Sequence, residues 1–249
     1  MKLEALIWDV DGTLVDSEEL HRKAFNQSFE DAGLDWHWSH EAYLKLLDVT
    51  GGKERIRHYM ELSRIDEESM PKTPEDIHAV KTDFYNHSVR NGGLGLRPGV
   101  EALIEEAVQR GNRLAIATTT SLVNVEALFH SGVLQREHWE VIMAGDQVEN
   151  KKPAPDVYIE ALRQLGLNPL ECLAVEDSEN GLNAAFEAGL PTVVTTNAYT
   201  RHQSFGKEIA LVHGFENGVP TLGGTLRPIS MCHLEAWHAA AQSIYQRRA

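Results

Sequence analysis

The chain has 249 residues, 42% of them hydrophobic and 24% charged, which suits one sizeable globular unit or a core with a smaller companion. Its formal net charge of −14 disfavours nucleic acid and anionic membranes as partners and leaves room for one basic pocket. No run approaches the roughly 18 apolar residues of a membrane span. The opening MKLEALIWDVDG lacks the form of a signal peptide, and Cys172 and Cys232 make neither a disulfide framework nor a metal knuckle, so a cytoplasmic location and two buried thiols are expected.

The first element is an apolar run of strand length over residues 3–10. Residues 17–92 then contain no strand-like run. Their apolar spacing predicts helices over 18–33, 41–49, 53–62 and 74–90, a helical insert placed just after the first strand. The Gly-rich stretch 91–100 leads the chain back, so 14–18 and 92–98 serve as two linkers. Strand-like runs at 113–118, 141–145, 172–177 and 191–196 then alternate with amphipathic segments at 100–110, 122–132, 155–166 and 178–189. The runs are near-continuously apolar, as parallel strands covered on both faces are. Gly111, Gly166 and Gly189 stand where helices should stop. Residues 209–215 read as a short strand, 218–228 as a loop and 231–248 as a C-terminal helix that packs on the core or mediates dimerisation. The expected architecture is α/β: a Rossmann-like parallel sheet formed by 1–16 and 93–249, with an inserted α-helical cap over 17–92.

In such sheets ligands bind beyond the carboxyl ends of the strands. Four strand ends carry chemistry here. Asp9-Val10-Asp11-Gly12-Thr13 places two carboxylates at i and i+2, on one side, with a glycine that lets the backbone turn. Thr118 ends the second run and is followed by Thr119, Thr120 and Ser121, hydroxyls and amides suited to phosphate oxygen or to capping a helix. Lys152 lies between Lys151 and Pro153, with Lys151 expected to point away. Glu176-Asp177 end the fourth run and offer oxygen ligands for Mg²⁺, or a helix cap.

Each has a plain structural reading when taken singly. Together, in this order, they make a phosphoryl-transfer set. Asp9 is the nucleophile that becomes an aspartyl-phosphate. Asp11 is its acid/base partner. Lys152 and Thr118 stabilise the phosphoryl oxygens, and Asp9, Glu176 and Asp177 hold Mg²⁺.

These motifs resemble the haloacid dehalogenase superfamily over the chain to about residue 215. The resemblance implies that the backbone carbonyl of Asp11 is a further metal ligand. LHRKAFNQSF, TGGKERI, DIHAVKT, KKPAPDVY, VEDSENGL and AYTRHQSF are similar to the CbbY group of sugar-phosphate phosphatases, some of which act on xylulose 1,5-bisphosphate. That likeness implies a small phosphorylated sugar as partner, for a monomer or homodimer. It implies that Glu18, His21, Gly51, Gly52, Lys53, Lys81, Asn180 and Arg201 line the substrate, joined by Thr119 and Thr120. Glu18 and His21 share a helix face, and the Gly51-Gly52-Lys53 turn suits a distal phosphate. Trp36, Trp38, Trp139 and Trp237 read as packing.

A sugar phosphomutase of the β-phosphoglucomutase type is the nearest rival, with His21 and Lys81 as polar cap residues. The GGK turn lacks the arginine expected of it, although Arg55 is close. A dehalogenase needs neither Asp11 nor the Glu176-Asp177 pair. A receiver-like phospho-aspartate module has no helical insert and no second Asp as acid/base.

Overall fold

In the computed structural model of the chain, which describes residues 1–216, 218–220 and 226–245, the first strand is β1 (Ala5–Trp8). Four helices follow: α1 (Glu18–Asp31), α2 (His40–Leu46), α3 (Gly52–Ser63) and α4 (Pro74–Arg90). Then come α5 (Val100–Gln109), β2 (Arg113–Ala117), α6 (Leu122–His130), β3 (Trp139–Met143), α7 (Asp156–Leu165), β4 (Cys172–Glu176), α8 (Glu179–Glu187), β5 (Thr192–Thr195) and β6 (Ala210–Val212). The strands form one parallel sheet in the order β3-β2-β1-β4-β5-β6. The strand order reverses beside β1, where the next strand in sequence lies on one side and β4 on the other. That switch point is where an open α/β sheet opens its crevice.

The two faces of the sheet separate by residue parity. Leu6, Trp8, Leu114, Ile116, Leu173 and Val175 join one core with side chains from α5 and α6. Ala5, Ile7, Ala115, Ala117, Cys172 and Ala174 join the other, with α7 and α8. Both faces are covered, which accounts for the unbroken apolar runs.

The insert has its own core of Phe25, Phe29, Trp38, Tyr43, Ile56, Met60 and Ile77. Helix α4 has the predicted bounds because Thr73 and Asp76 form a capping box ahead of Pro74. Helix α2 ends three residues earlier than its apolar spacing predicts. The chain turns at Leu47 and reaches Gly51, whose φ of 97° starts α3. The two linkers touch: Val15 forms an antiparallel bridge with Leu96, and Arg97 N–H donates to Leu14 O at 2.8 Å.

Residues 218–228, expected as a loop, include the paired strands β7 (Val219–Pro220) and β8 (Leu226–Arg227); the intervening 221–225 lie outside the described residues. Helix α9 (Met231–Tyr245) lays Met231 and Leu234 into the core beside α5, so it packs on the sheet domain; its expected end at 246–248 lies outside the described residues. Trp38 and Trp139 are buried in packing as expected, and Trp36 and Trp237 are partly buried against the cores of the insert and the sheet domain. One thiol corrects the reading: Cys172 is buried, but Cys232 is exposed on α9, where Arg110 donates to its sulfur. Among the described residues no helix is long and apolar enough to cross a membrane.

Candidate active site

β1 ends at Trp8, and Asp9 N–H continues the ladder by donating to Val175 O at 3.0 Å. This fixes the Asp9 backbone beside the end of β4, so the Asp9 carboxylate meets Glu176 and Asp177. Oxygens of all three lie within 4.8 Å of one another, and all three residues are buried. Lys152 reaches into the group from the loop before α7. Its ammonium has three protons and places all three: on Asp9 Oδ1 at 2.7 Å, Glu176 Oε1 at 2.6 Å and Ala117 O at 2.8 Å. Tyr158, on the first turn of α7, donates to Glu176 Oε1 at 2.5 Å.

Three carboxylates around one ammonium leave an excess of buried negative charge. Burial pushes the Asp9 carboxyl up to about 7, with help from Glu176 and against the pull of Lys152. Asp177 is pushed well up by burial and by the charges of Asp9 and Glu176. Burial alone would lower Lys152, but Asp9 and Glu176 push it up to about 12. Hard oxygen donors crowded against one another are what a hard divalent cation requires, so these residues fit such an ion.

Gly12 makes the turn after the two aspartates and packs its backbone against Asp177. Its φ is 81°, and a Cβ there would lie 2.2 Å from Asp177 Oδ2. Asn197 ties the same place, donating to Asp177 Oδ2 at 2.6 Å and Gly12 O at 3.1 Å. Gly33 has a similar φ of 72° with nothing near its missing Cβ. Gly33→Ala therefore carries only the cost of the left-handed backbone, about 1–2 kcal/mol. Gly12→Ala is expected to lower activity at least tenfold and to lower the melting temperature further than Gly33→Ala does. Thermal melts of the two variants side by side check this; equal melting temperatures with full activity would remove the contact with Asp177 from the account.

Asp11 belongs to a second network that runs into the insert. Ser17 Oγ–H donates to its Oδ1 at 2.5 Å, and His21 Nε2 lies 3.0 Å from the same atom. Lys81 Nζ lies 2.7 Å from His21 Nδ1, so Lys81 donates to Nδ1 and the imidazole passes its Nε2–H to Asp11. His21 stacks on Tyr85, with ring centroids 4.1 Å apart. Burial would raise Asp11, but His21, Ser17 and Lys81 outweigh it and hold the carboxyl down at about 2. Lys81 is itself pushed down to about 8 by burial, an effect that Asp11 opposes.

A cavity of about 740 Å³ opens over this loop and runs between sheet domain and insert. Asp9, Asp11, Lys152 and Asp177 line its floor. Of the residues assigned to substrate, Glu18, His21, Gly51, Gly52, Lys53, Lys81, Thr119, Thr120 and Asn180 line it too. Three predicted site residues stand apart: Thr118, expected at the phosphoryl oxygens, Glu176, expected at the metal, and Arg201, expected at the substrate. Thr118 is fully buried one layer back, where its Oγ1 accepts from Thr120 N–H at 3.3 Å. Glu176 sits behind Lys152. Arg201 is exposed and borders a separate hollow with Asp16 and Arg97.

The sequence reading missed several members. Lys151, expected to point away, lines the cavity and forms a 2.8 Å ion pair with Glu54 of α3. His78 lines it as well, held down at about 3 by burial and by Lys81, Lys53 and Lys151. Asn180 Nδ2 donates to Thr50 Oγ1 at 3.1 Å and Asp48 O at 3.3 Å, a second tie between sheet domain and insert. Tyr158 closes the KKPAPDVY motif without being singled out there, and Asn197 stands just ahead of AYTRHQSF; only the fold shows that both reach the acid pair.

A buried aspartate at the switch point, a lysine beside it and paired acids on the next strand are the arrangement of one large hydrolase class. The model of haloacid dehalogenase-like hydrolases matches residues 6–195, and the chain belongs to that family, as an HAD-type phosphatase. Within the family its relatives include CbbY proteins. The plasmid-borne protein CbbY of Cupriavidus necator is 44% identical over 246 residues, covering 95% of this chain and 97% of that one, so the likeness extends beyond residue 215. The crystal structure of CbbY from Rhodobacter sphaeroides in complex with phosphate matches with a TM-score of 0.80 at 47% identity, over 85% of this chain and 94% of that chain. A mutant of that protein in complex with xylulose-(1,5)bisphosphate matches equally well.

Proposed function

We propose that this chain is a Mg²⁺-dependent phosphatase of a small sugar bisphosphate, with xylulose 1,5-bisphosphate as the leading substrate, acting through an aspartyl-phosphate on Asp9. The observation that carries it is the polarity of one cavity. Its floor holds Asp9, Asp11 and Lys152, and a second cationic pair, Lys53 of the insert and Lys151 of the sheet domain, lines it at the Gly51-Gly52 turn. Two phosphate-binding ends in one cavity suit a molecule with two phosphates. The complex of the Rhodobacter relative with that bisphosphate supports the same reading.

In this reading Asp9 attacks phosphorus, and the bond to the sugar oxygen breaks. Asp11 gives its proton to the departing oxygen. The incoming phosphoryl dianion raises Asp11 enough to carry that proton, as a neighbouring like charge does. Asp11 then takes a proton from water as the water attacks the aspartyl-phosphate, which releases inorganic phosphate and regenerates Asp9. Lys152 stays on Asp9 and the transferred oxygens, and Thr119 and Thr120 present polar groups to them. Mg²⁺ held by Asp9, Glu176 and Asp177 would cancel repulsion between nucleophile and phosphate. Residues 17–92 act as a cap that excludes bulk water.

Phosphate release measured with Mg²⁺ across sugar mono- and bisphosphates tests the proposal, with preference for the ketose bisphosphate as the expected result. Lys53→Ala is expected to raise KM for a bisphosphate about tenfold, the loss of one charge-assisted contact, and to raise it clearly less for a small monophosphate. Equal effects on both would remove Lys53 from the distal end.

The Lys81–His21–Asp11 chain favours a second reading, a phosphomutase that uses the cap to shield its intermediate. Against it, Arg55 is committed to Leu46 O, Val49 O and Tyr43 Oη and is not free for a rebinding phosphate. Isomerisation of β-glucose 1-phosphate without net phosphate release would decide for the mutase.

A further inference from the structure

The cations and carboxylates described so far match phosphate and metal. A second set of groups on the same cavity has different chemistry. Asn86 on α4 and Asn124 on α6 both border the cavity, and each is 4% exposed. The Oδ1 of each is buried with no hydrogen-bond partner among the described residues. Ser121, at the start of α6, also borders the cavity; its Oγ is equally unpartnered and makes no capping bond. Helix α4 of the insert packs against helix α6 of the sheet domain, so the two amides belong to opposite sides of one seam. The orientation of Asn124 is set by its own donor: Nδ2 gives its proton to Thr120 Oγ1 at 2.8 Å, which leaves Oδ1 as the free end.

An amide oxygen can only accept, and a buried acceptor without a donor is unfavourable. The candidates to satisfy it differ in kind. A phosphate dianion brings no proton. A metal cation is disfavoured by Lys53, Lys81 and Lys151 on the same walls. Water, or a substrate hydroxyl that takes its place when the cavity fills, brings the proton that is missing and carries no charge to repel. We infer that Asn86 and Asn124 are specificity-determining residues that accept hydrogen bonds from carbinol hydroxyls of the bound substrate, one from the insert and one from the sheet domain. The inference rests on the sugar-phosphate reading above and adds to it: the cations hold the two ends, and the amides read the hydroxylated chain between them. Because the pair is divided between two parts of the molecule, the hydroxyl readout works only while α4 lies against α6.

The test compares xylulose 1,5-bisphosphate with pentane-1,5-diyl bisphosphate, which keeps both phosphates and the chain length but has no hydroxyl. Wild-type enzyme with Mg²⁺ is expected to favour the sugar in kcat/KM by at least tenfold, because a site built to bond a hydroxyl rejects an analogue lacking it. Asn86→Leu and Asn124→Leu are each expected to shrink that ratio severalfold, by losing activity on the sugar more than on the diol ester. Equal losses on both compounds would make the asparagines structural and overturn the inference. Wild-type enzyme that treats the two compounds alike would overturn it without any variant, and would leave the phosphatase reading standing. Hydrolysis of neither bisphosphate would defeat the reading beneath it, and the inference with it.

Discussion

Asp9→Asn is expected to reduce kcat roughly 10⁴-fold or more, as loss of a nucleophile does, while the protein stays folded. An amide oxygen does not form the acyl-phosphate, so the reaction stops before its first bond. The fold does not depend on the lost charge. Asp9 is one of three crowded carboxylates, and its acid is already pushed up by burial. Lys152 keeps Glu176 and Ala117 O as partners. The melting temperature should therefore hold or rise. Phosphate release and a thermal melt on the same preparation check both halves. Near-normal turnover in this variant would sink the mechanism.

Lys152→Met is expected to fail in the opposite way, by losing activity and stability together. The Lys152 side chain is 4% exposed and is the cation that Asp9 and Glu176 share. Without it two buried carboxylates lose their partner, and breaking a buried pair in this way costs about 3–5 kcal/mol. For a chain of this size each kcal/mol moves the melting temperature by about 2–4 °C, so a fall of roughly 6–20 °C is expected. Added Mg²⁺ should recover part of the fall, because three oxygen ligands remain. A melting temperature within about 2 °C of wild type would show that the carboxylates find another way to be neutral.

Much of this was legible in the chain before its structure. The apolar runs ending at Asp9, Thr118 and Glu176 are legible because strands buried on both faces leave few polar residues within them. Helix α4 is legible to the residue because Thr73, Pro74 and Asp76 form its start signal locally. The residues that escaped share a different property. Lys151, His78, Asn86 and Asn124 acquire their meaning only from side chains distant in sequence. Glu54 meets Lys151 across 97 positions, and no local period records that. Arg201 shows the reverse: a family pattern assigns it to the substrate, yet here it borders another hollow. The short pairing of Val219–Pro220 with Leu226–Arg227 is not legible because two residues per strand carry no alternation.

The meeting of the two linkers has a consequence for how such molecules diversify. Val15 pairs with Leu96, and Arg97 anchors the return strand on the carbonyls of Gly12, Thr195 and Thr196. The helical segment thus leaves and re-enters the sheet domain at a single point. Exchanging it for a longer or shorter one adds little entropy of loop closure, which grows slowly with length, so the main change is in the contacts that the segment makes with the sheet domain. The residues proposed to break the bond lie outside that exchange in the chain: Asp9 and Asp11 precede the exit point, and Lys152, Glu176 and Asp177 follow the return. Such a chain can alter one wall of its cavity by replacing one contiguous module, while Lys152, Glu176 and Asp177 keep their places in the sheet domain.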